Sequence, residues 1–374
     1  MKILGMMSGT SGDGIDGALV EFYDFDKFKL IWHKSFDFSV EQFKRIQYLM
    51  KACTSIDVTL GNAYVAELYS RAFFSFFDKN EEKPDYIAAH GQTIWHQPQP
   101  VIWDGIVLRD TLQILDAPLL ATRTGVQVIS NFRTADMAVG GQGAPLVPYA
   151  DFELFGNLFE EDCVVLNIGG MANLTAIRKI HGRPEVLCAF DTGPGNVLMD
   201  AYLQNKGIAQ YDKDGVVSAS GKPIKTILQE IMSDSYFHKP YPKSTGREYF
   251  NSSILQKYEG KAGLEDFMAT LLEVTVLSIV EAIKLLKNDM RFPIKLITAG
   301  GGAKNPVLMK RLAEEMTGLA DVLTSEAFGI PVMAREAMAF AVLGKAFVER
   351  KPANVMTATG ASKPVILGQL SPIL

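Results

Sequence analysis

The first third of the chain places short apolar segments between polar breaks, in the order expected of strands followed by helices. Apolar and aromatic residues dominate three successive segments, each of which predicts a strand: KILGMM, GALVEFY and KLIWHKSF. The helical spacing of apolar residues over 39–51 and 57–78 predicts two helices. A polar break at 80–84 then precedes DYIAAHG, which predicts a fourth strand.

The middle of the chain repeats this order of elements. DCVVLNIGG, NLTAIRK and EVLCAF predict three strands, and GPGNVLMDAYLQNKG predicts a helix that opens on Gly and Pro and ends at Gly207. The later pattern predicts a helix over 264–287, the strand IKLITAGGG, a helix over 305–317, the strand ADVLT and a helix near 333–349. Two successive βββα units, each led by a Gly-rich hairpin, therefore predict an α/β fold with a duplicated, two-lobed architecture.

The length of the chain, 374 residues, favours two domains over one. We expect an N-terminal lobe over 1–130, joined by the C-terminal segment 352–374, and a C-terminal lobe over 131–351. The segment 131–150, NFRTADMAVGGQGAPLVPYA, is rich in Gly and Pro and is interpreted as the crossing between the lobes. We expect such a polar crossing to line a cleft between them.

Composition and charge argue against several classes of partner. The formal net charge is −5 and no run of Lys or Arg occurs, which argues against nucleic acid and anionic membrane surfaces. No signal peptide is visible, and the most apolar stretch, 267–286, contains three charged residues and predicts a buried helix, not a membrane span. Cys53, Cys163 and Cys188 have no disulfide-type or metal-type spacing, which is typical of the reducing cytoplasm.

Three Gly-rich loops are candidates for phosphate binding: SGTSGDG at 8–14, NIGGMANLT at 167–175 and TAGGGAKNP at 298–306. Glycine lets backbone N–H groups approach phosphate oxygens, and a helix that begins near Asn305 would add its own N–H groups. Walker A, dinucleotide-binding and protein-kinase motifs are absent from the sequence. Together the three loops predict a nucleoside triphosphate site, although each alone is also ordinary turn chemistry between strands.

Seven segments spread over nearly the whole chain resemble the anhydro-N-acetylmuramic acid kinases, a family of the actin-like ATPase and sugar-kinase superfamily. They are GMMSGTSGDGID, HGQTIWHQP, NFRTADMAVGGQGAPLVP, NIGGMANLT, FDTGPGNVLMD, PKSTGREYFN and TAGGGAKNP. The resemblance implies the two-lobed actin-like ATPase (ribonuclease H-like) fold and a cytoplasmic enzyme of peptidoglycan recycling. It also implies ATP-dependent phosphorylation of 1,6-anhydro-N-acetylmuramic acid at O6 with hydrolytic opening of the anhydro ring. The products would be N-acetylmuramic acid 6-phosphate and ADP.

The chemistry of that reaction makes Asp191 the candidate catalytic base. O6 of the anhydro sugar is tied to C1 and has no proton, so a base would activate the water that attacks C1 while O6 attacks the γ-phosphate. Asp191 follows an apolar strand in AFDTGPGN and precedes a Gly-rich turn. Its alternative role is the N-cap of the following helix.

We expect ATP to contact the Gly-rich loops. The expected residues are Gly9, Thr10, Ser11, Gly12, Asp13, Gly14, Ile15, Asp16, Gly169, Gly170, Gly300, Gly301, Gly302 and Asn305. Asp13 and Asp16 are also the candidate Mg²⁺ ligands, because Mg²⁺ in kinase sites keeps several waters and takes few carboxylates. Asp16 has the alternative role of capping the turn, and the sequence does not decide between the two roles.

The expected sugar carries a lactyl carboxylate, so its site needs a cation and hydrogen-bond donors. The candidate contacts are His90, Gln92, Thr93, Arg133 and Asp136. Arg133 can form a two-fold hydrogen-bonded pair with a carboxylate. His90 can equally be a histidine whose hydrogen bonds are satisfied at the end of a strand. The segment 242–250, PKSTGREYF, is either a solvated loop or part of the site.

Two rival functions stay open at this point. A sugar or acyl-phosphate kinase of the same fold could act on another substrate, because a fold does not fix the substrate. An actin-like filament or chaperone protein would need a further domain or a polymerising surface, and slow ATP turnover that no sugar affects would indicate it. The oligomeric state is open as well, with a homodimer among the alternatives.

Overall fold

The computed structural model describes residues 1–9, 12–23, 27–51, 54–78, 81–258 and 260–373. These residues form two compact units, Met1–Glu153 with Ala334–Leu374 (unit 1) and Leu154–Met333 (unit 2). The limits of the units differ from the lobe boundaries at 130/131 and 351/352 that the sequence suggested. That division into lobes stays a prediction.

The strands pair in two main sheets and one separate hairpin. In chain order they are β1 (Lys2–Met7), β2 (Gly14–Phe22), β3 (Phe28–Asp37), β4 (Tyr86–Ala89), β5 (Gln92–Trp103), β6 (Ile106–Ile114), β7 (Gln127–Ser130), β8 (Cys163–Ile168), β9 (Met171–Ile180), β10 (Arg183–Pro194), β11 (Ile294–Ala299), β12 (Ala320–Thr324) and β13 (Gln369–Ser371).

The helices lie mostly between the later strands of each sheet. In chain order they are α1 (Val40–Leu49), α2 (Ser55–Phe76), α3 (Ala117–Thr124), α4 (Thr134–Ala138), α5 (Val147–Phe155), α6 (Val197–Asn205), α7 (Val216–Ala219), α8 (Lys225–Met232), α9 (Ser235–His238), α10 (Ser252–Lys257), α11 (Leu264–Lys284), α12 (Pro306–Glu315), α13 (Arg335–Val348) and α14 (Met356–Thr359). Short 3₁₀ turns occur at Lys213–Gly215, Gly301–Lys304 and Ser325–Phe328.

The two main sheets share one strand order. In unit 1 the order is β3-β2-β1-β4-β7-β13, and in unit 2 it is β10-β9-β8-β11-β12. In both, three antiparallel strands come first, and the next two strands in each sheet run parallel to the first of them. The unit 1 sheet has one further strand, β13, which pairs antiparallel with β7. This is the ribonuclease H-like arrangement, and the predicted α/β fold with duplicated βββα units is confirmed.

The core of unit 1 lies on both faces of its sheet. β1 is buried at all four central residues, as expected of a strand with helices on both sides. Leu4 and Met6 pack in a cluster with Tyr69 and Phe73 of α2. α13 packs against β1 so closely that a Cβ atom on Gly5 would lie 1.9 Å from the carbonyl oxygen of Ala337. Glycine is therefore required at residue 5 for this packing.

The core of unit 2 is built around α11, which packs against β10, α7, α8 and α12. Its residues are buried along most of its length, so the buried helix predicted over 264–287 is confirmed. The buried carboxylate of Glu273 accepts two hydrogen bonds from Arg311, at 2.7 and 3.1 Å. None of the helices in the described part of the chain is long and apolar enough to cross a membrane.

The structure differs from the sequence-based prediction at two places. The β5–β6 hairpin was not predicted, although its turn, Asp104–Gly105, has positive φ at both residues and is a known hairpin signal. The expectation that the helix after Asp191 opens on Gly and Pro is wrong. Pro194 ends β10, where it pairs with Met171 of β9, and α6 begins at Val197.

Candidate active site

The opening loop of unit 1 is a tight turn between β1 and β2. The N–H of Gly12 donates to the carbonyl oxygen of Gly9 at 3.1 Å. Gly12 has φ +65°, and a Cβ atom there would lie 2.8 Å from Cγ2 of Ile46, so the turn needs glycine. Thr10 and Ser11 lie outside the described residues.

The remaining loop residues lead into β2. Gly14, Ile15 and Asp16 are its first three residues, and Ile15 is buried. Asp13 is exposed, and the side chain of Asp16 is 42% exposed. The Ser35 hydroxyl donates to Oδ1 of Asp16, and Nε2 of His33 lies 3.5 Å from the same oxygen. Within the described ranges, no group of three or more His, Cys, Asp or Glu side chains is placed to hold a metal ion.

His90 follows β4, and its hydrogen bonds define its tautomer. Nδ1 lies 3.0 Å from the carbonyl oxygen of Gly91 and donates to it, whereas Nε2 accepts from Nε and Nη2 of Arg133 at 3.1 and 2.9 Å. Burial and the neighbouring guanidinium lower the pKa of His90 to about 3. Burial also lowers the pKa of Arg133, to about 10. His90 is therefore a neutral acceptor that orients Arg133, in agreement with the alternative of a satisfied histidine.

Gln92 connects the opening loop to the β5–β6 hairpin. Its Oε1 lies 2.8 Å from the hydroxyl of Ser8, and its Nε2 donates to the carbonyl oxygen of Gly9 at 3.2 Å. Both Gln92 and Ser8 are buried. Thr93, the next residue along β5, accepts a hydrogen bond from Gln113 at 3.3 Å. The structure therefore brings His90, Gln92 and the opening loop together in unit 1.

Asp136 lies in α4 and is fully buried. Its Oδ2 accepts from the N–H of Gly143 at 2.8 Å, and its Oδ1 accepts from the Thr359 hydroxyl at 2.8 Å and the Asn354 amide at 3.0 Å. A Cβ atom on Gly141 would lie 2.1 Å from the same carboxylate. These contacts favour a structural role for Asp136, which joins the 133–143 segment to the segment that contains α14.

Glu336 in the first turn of α13 was not singled out by the sequence. Its side chain keeps access to solvent but is closely surrounded by protein, and this desolvation raises its pKa. The charge of Asp16 adds to the rise, and the charges of Arg335 and Arg133 oppose it. A Glu in a mostly apolar helix is the signal that could have drawn attention to this position.

In unit 2, the Gly169–Gly170 hairpin between β8 and β9 packs on the turn that begins α6. The carbonyl oxygen of Gly169 accepts from the N–H of Asn196 at 2.8 Å, and that of Gly170 accepts from Gly195 and Val197 at 2.9 and 3.0 Å. A Cβ atom on Gly195 would lie 2.3 Å from the Gly169 carbonyl oxygen. The two turns therefore form one compact assembly, which requires glycine at residue 195.

The third Gly-rich loop lies against the same end of β8. A Cβ atom on Gly300 would lie 2.6 Å from Oδ1 of Asn167, and one on Gly302 would lie 2.3 Å from Ile168. Gly301 lies near the amide of Asn196, 3.9 Å from where its Cβ would be. The structure thus brings the two Gly-rich loops of unit 2 together.

Asn305 is the N-cap of α12. Its Oδ1 accepts from the N–H groups of Val307 and Leu308 at 3.0 and 3.1 Å. The helix therefore has fewer free N–H groups to offer a nucleotide than the sequence suggested, because the side chain of Asn305 already accepts from two of them.

Asp191 lies in β10 beside a bulge between Asp191 and Gly193. Its Oδ2 accepts from the N–H of Thr245 at 2.9 Å. Burial raises the pKa of Asp191 to about 6, a rise that the Thr245 hydrogen bond opposes and the charge of Glu248 reinforces. The N-cap of α6 is Asn196, so the alternative role of Asp191 as that cap is wrong.

The segment Lys243–Glu248 surrounds Asp191, although the sequence left it open whether this was only a solvated loop. The carbonyl oxygen of Lys243 accepts from the N–H of Asp191 at 3.1 Å. Nζ of Lys243 donates to the carbonyl oxygens of Tyr236 and Phe237, both at 3.1 Å. Burial, with the charge of Lys239, lowers the pKa of Lys243 to about 8. This segment therefore positions the candidate base.

Two charged residues lie near the hairpin: Asp200 was not predicted, and Arg247 belongs to the segment 242–250 that the sequence left open. Asp200 lies in α6, and burial raises its pKa to about 7 while the charge of Arg247 opposes the rise. Arg247 is exposed, and its Nη2 is 3.5 Å from where a Cβ of Gly170 would lie. The FDTGPGNVLMD and PKSTGREYFN segments contain both residues, but their proximity depends on the tertiary fold.

Comparison with protein families and with proteins of known sequence gives one consistent result. A family model described as anhydro-N-acetylmuramic acid kinase matches residues 1–373. The curated anhydro-N-acetylmuramic acid kinase of Sulfurimonas denitrificans is 38% identical to this chain over 389 aligned residues, which cover 98% of each protein.

Solved structures with lower sequence identity are similar in fold alone. A ROK family glucokinase from Streptomyces griseus, in complex with glucose and AMPPNP, is 10% identical with a TM-score of 0.43, over 91% of this chain and 99% of that one. The activator of the 2-hydroxyisocaproyl-CoA dehydratase from Clostridium difficile, with bound ADPNP, is 12% identical with a TM-score of 0.42, over 95% of this chain and 100% of that one.

Proposed function

Because the chain belongs to the anhydro-N-acetylmuramic acid kinase family, we propose that it phosphorylates 1,6-anhydro-N-acetylmuramic acid at O6. Membership of the family makes the chain a kinase that uses ATP. The proposed reaction also opens the anhydro ring by hydrolysis, and its products are N-acetylmuramic acid 6-phosphate and ADP. Its place in metabolism is the recycling of peptidoglycan.

The observation that best supports this reaction is the carboxylate of Asp191. Its pKa of about 6 lets it be ionised at neutral pH and still accept a proton readily. Asp191 takes a proton from water, and the water oxygen bonds to C1. The C1–O6 bond then breaks with its electron pair on O6. O6 bonds to the γ-phosphorus, and ADP leaves.

The Gly-rich loops are the proposed nucleotide contacts. In unit 1 these are Gly9, Thr10, Ser11, Gly12, Asp13, Gly14, Ile15 and Asp16, and in unit 2 they are Gly169, Gly170, Gly300, Gly301, Gly302 and Asn305. Support comes from the compact turns at Gly12, Gly300 and Gly302, where a Cβ atom would lie 2.8, 2.6 and 2.3 Å from a neighbouring atom. Loops without side chains let phosphate oxygens approach backbone N–H groups.

Asp13 and Asp16 are the proposed residues for Mg²⁺. Both side chains reach solvent, and carboxylate oxygens are the ligands that Mg²⁺ prefers. Only Oδ1 of Asp16 has a hydrogen bond from Ser35, so its other oxygen fits a direct or water-mediated contact. Bound Mg²⁺ would neutralise charge on the phosphates of ATP.

Arg133 is the proposed partner of the lactyl carboxylate, with His90, Gln92, Thr93 and Asp136 as the other candidates. Three of its five N–H groups donate to His90 and Gly143. One N–H on each terminal nitrogen is left for an anion. His90 orients Arg133, and the buried Asp136 supports the segment from which Arg133 projects.

The cytoplasm is the proposed compartment. Cys188 is a buried free cysteine, which is typical of reducing conditions. Cys53 lies outside the described residues. Fractionation of cells that express the chain at natural levels tests this proposal.

A homodimer is the proposed assembly. The side chains that support it are exposed apolar residues of the β5–β6 hairpin, namely Trp95, Ile102, Trp103, Ile106 and Val107, each at least 61% exposed. Exposed large apolar side chains that are concentrated on one hairpin are a feature of interfaces between proteins. Light scattering should give twice the mass of one chain, and a single-chain mass would contradict the proposal.

The decisive experiment for the reaction is ATP turnover with and without the anhydro sugar, followed by mass spectrometry of the product. The proposal predicts that the sugar stimulates turnover. It also predicts a product heavier than the sugar by one phosphoryl group and one water. Turnover that the sugar does not change would indicate the filament or chaperone alternative, and stimulation by a different sugar alone would indicate another kinase.

A further inference from the structure

One backbone donor of the Gly169–Gly170 hairpin is already used within the protein, because the N–H of Gly169 donates to the carbonyl oxygen of Met171 at 3.2 Å. A hairpin that binds phosphate through its backbone needs free N–H groups. A cationic side chain beside the hairpin would add the positive charge that the backbone alone does not supply.

Arg247 is the cation at this hairpin. Its Nη2 and Nε lie 3.5 and 3.9 Å from where a Cβ of Gly170 would be. The guanidinium therefore lies on the side of Gly170 that a side chain would occupy. The side chain is exposed, and within the described part of the chain no ion pair within 4.0 Å and no hydrogen bond of this guanidinium occurs. Its N–H groups are available to a ligand.

Asp200 lies in the first turn of α6, next to the glycine that this guanidinium approaches: the N–H of Val197, the first residue of α6, donates to the carbonyl oxygen of Gly170 at 3.0 Å. The two charges interact, as the effect of Arg247 on the pKa of Asp200 indicates, yet they form no direct ion pair. The carboxylate of Asp200 is also influenced by Asp212, whose own oxygens accept from the N–H groups of Val217 and Ser218. A carboxylate that attracts the guanidinium without forming an ion pair with it can orient the Arg247 side chain. The N–H groups of Arg247 then stay available to a ligand.

We propose that Arg247 binds the terminal phosphates of the nucleotide, and that Asp200 is the residue that positions it. This inference rests on the proposed kinase function, and it assigns the phosphate contact of unit 2 to a side chain as well as to the Gly-rich loops. Guanidinium is suited to this role, because its planar N–H groups match two phosphate oxygens at once.

The position of Arg247 in the chain links this contact to the candidate base. Two residues earlier, the N–H of Thr245 donates to Asp191, and one residue later Glu248 raises the pKa of Asp191. A phosphate that draws Arg247 into place would therefore also act on the segment that holds Asp191. The segment Lys243–Glu248 would thus serve both reacting groups.

The test compares nucleotides that differ in their phosphates. Calorimetric titrations of the full chain with Mg²⁺ use the β,γ-imido analogue of ATP and, separately, AMP. In Arg247→Gln, we expect the affinity for the ATP analogue to fall about tenfold to a hundredfold, since hydrogen bonds to charged groups are lost. The affinity for AMP should stay within about twofold. Arg183→Gln is the matched control, because Arg183 is exposed at the other end of β10.

Several outcomes would overturn the proposal. Unchanged affinity of Arg247→Gln for the ATP analogue would do so, and so would an equal loss for AMP, which would indicate a structural effect. A loss of affinity for the anhydro sugar alone would assign Arg247 to the lactyl carboxylate. These titrations need no turnover, so a chain that binds nucleotide as predicted but does not phosphorylate the sugar would refute only the proposed function.

The role of Asp200 has its own readout. Asp200→Asn should weaken binding of the ATP analogue less than Arg247→Gln does. The double variant should then be no weaker than Arg247→Gln alone, because a positioning residue has no effect once its target is gone. Additive losses would show that Asp200 acts independently of Arg247 and would contradict this part of the proposal.

Discussion

Asp136 in unit 1 and Asp191 in unit 2 are two aspartates with opposite surroundings. The carboxylate of Asp136 is fully buried and accepts from Gly143, Asn354 and Thr359. The carboxylate of Asp191 is partly buried and accepts from Thr245, and burial raises its pKa to about 6. Each lies in a segment that the sequence suggested for the site, but only one has a carboxylate with capacity left for a reactant.

The difference shows how hydrogen bonding separates a structural carboxylate from a reactive one. A buried carboxylate with donors on both oxygens holds those donors in place and has little capacity left for a reactant. A carboxylate that is desolvated with few donors is destabilised as an anion, and it therefore takes up a proton more readily. Asp136 is accordingly a supporting residue, and Asp191 is the proposed site of proton transfer.

The largest expected effect is the loss of turnover in Asp191→Asn. The amide keeps the size of the side chain and can still accept from Thr245, but it cannot act as a base. We expect kcat to fall by about 10²–10⁴, with binding of ATP and sugar retained. Steady-state kinetics and calorimetry check this, and near-normal turnover would move the base to another residue.

Asp136→Ala should mainly reduce stability. It leaves the N–H of Gly143, the amide of Asn354 and the hydroxyl of Thr359 buried without their acceptor. We expect a loss of about 3 kcal/mol or more in the free energy of unfolding. Denaturant unfolding measures this effect, and Asp136→Asn, which keeps one acceptor oxygen, should lose less. Unchanged stability in both variants would contradict a structural role for Asp136.

The pH dependence of activity provides a smaller test of the same contrast. The base must be ionised, and its folded pKa is about 6. We therefore expect kcat/KM to fall about tenfold for each pH unit below about 6. A profile that stays flat to pH 5 would be inconsistent with Asp191 as the base.

The smallest expected effect is a gain of stability in Asp191→Asn. The folded pKa lies above the unfolded value of about 3.9, so the native state loses stability as the pH rises through this interval to about 6. At pH 7.5 the variant should be more stable by about 1 kcal/mol, after allowance for partial solvation. Unfolding at pH 3.5 should show no such gain, and an equal gain at both pH values would point to a cause other than charge.

Much of the fold could be predicted because the buried elements have regular patterns. β1, β8 and β11 are short apolar segments, and α11 is apolar over most of its length. The β5–β6 hairpin escaped prediction because most of its side chains are exposed and show no buried face. Pro194 was placed in a helix because proline also suits first helical turns, whereas the pairing of β10 with β9 keeps it in the strand.

The sequence predicted the residues of the candidate site only where a single local motif contains them. Asp191 and the Gly-rich loops are visible as local motifs. The contact of Thr245 with Asp191 and the approach of Arg247 to Gly170 join residues more than 50 positions apart. The alternative roles of His90 likewise could not be separated until its two ring nitrogens had identified partners.

Turnover in ¹⁸O-labelled water shows directly which atom the water attacks. If Asp191 activates water toward C1, O6 takes the phosphoryl group. In a reaction quenched before the sugar exchanges oxygen with solvent, the label should appear at C1, with O6 and the phosphate unlabelled. Label in the phosphate would show that water attacks ATP, and it would contradict the coupled mechanism.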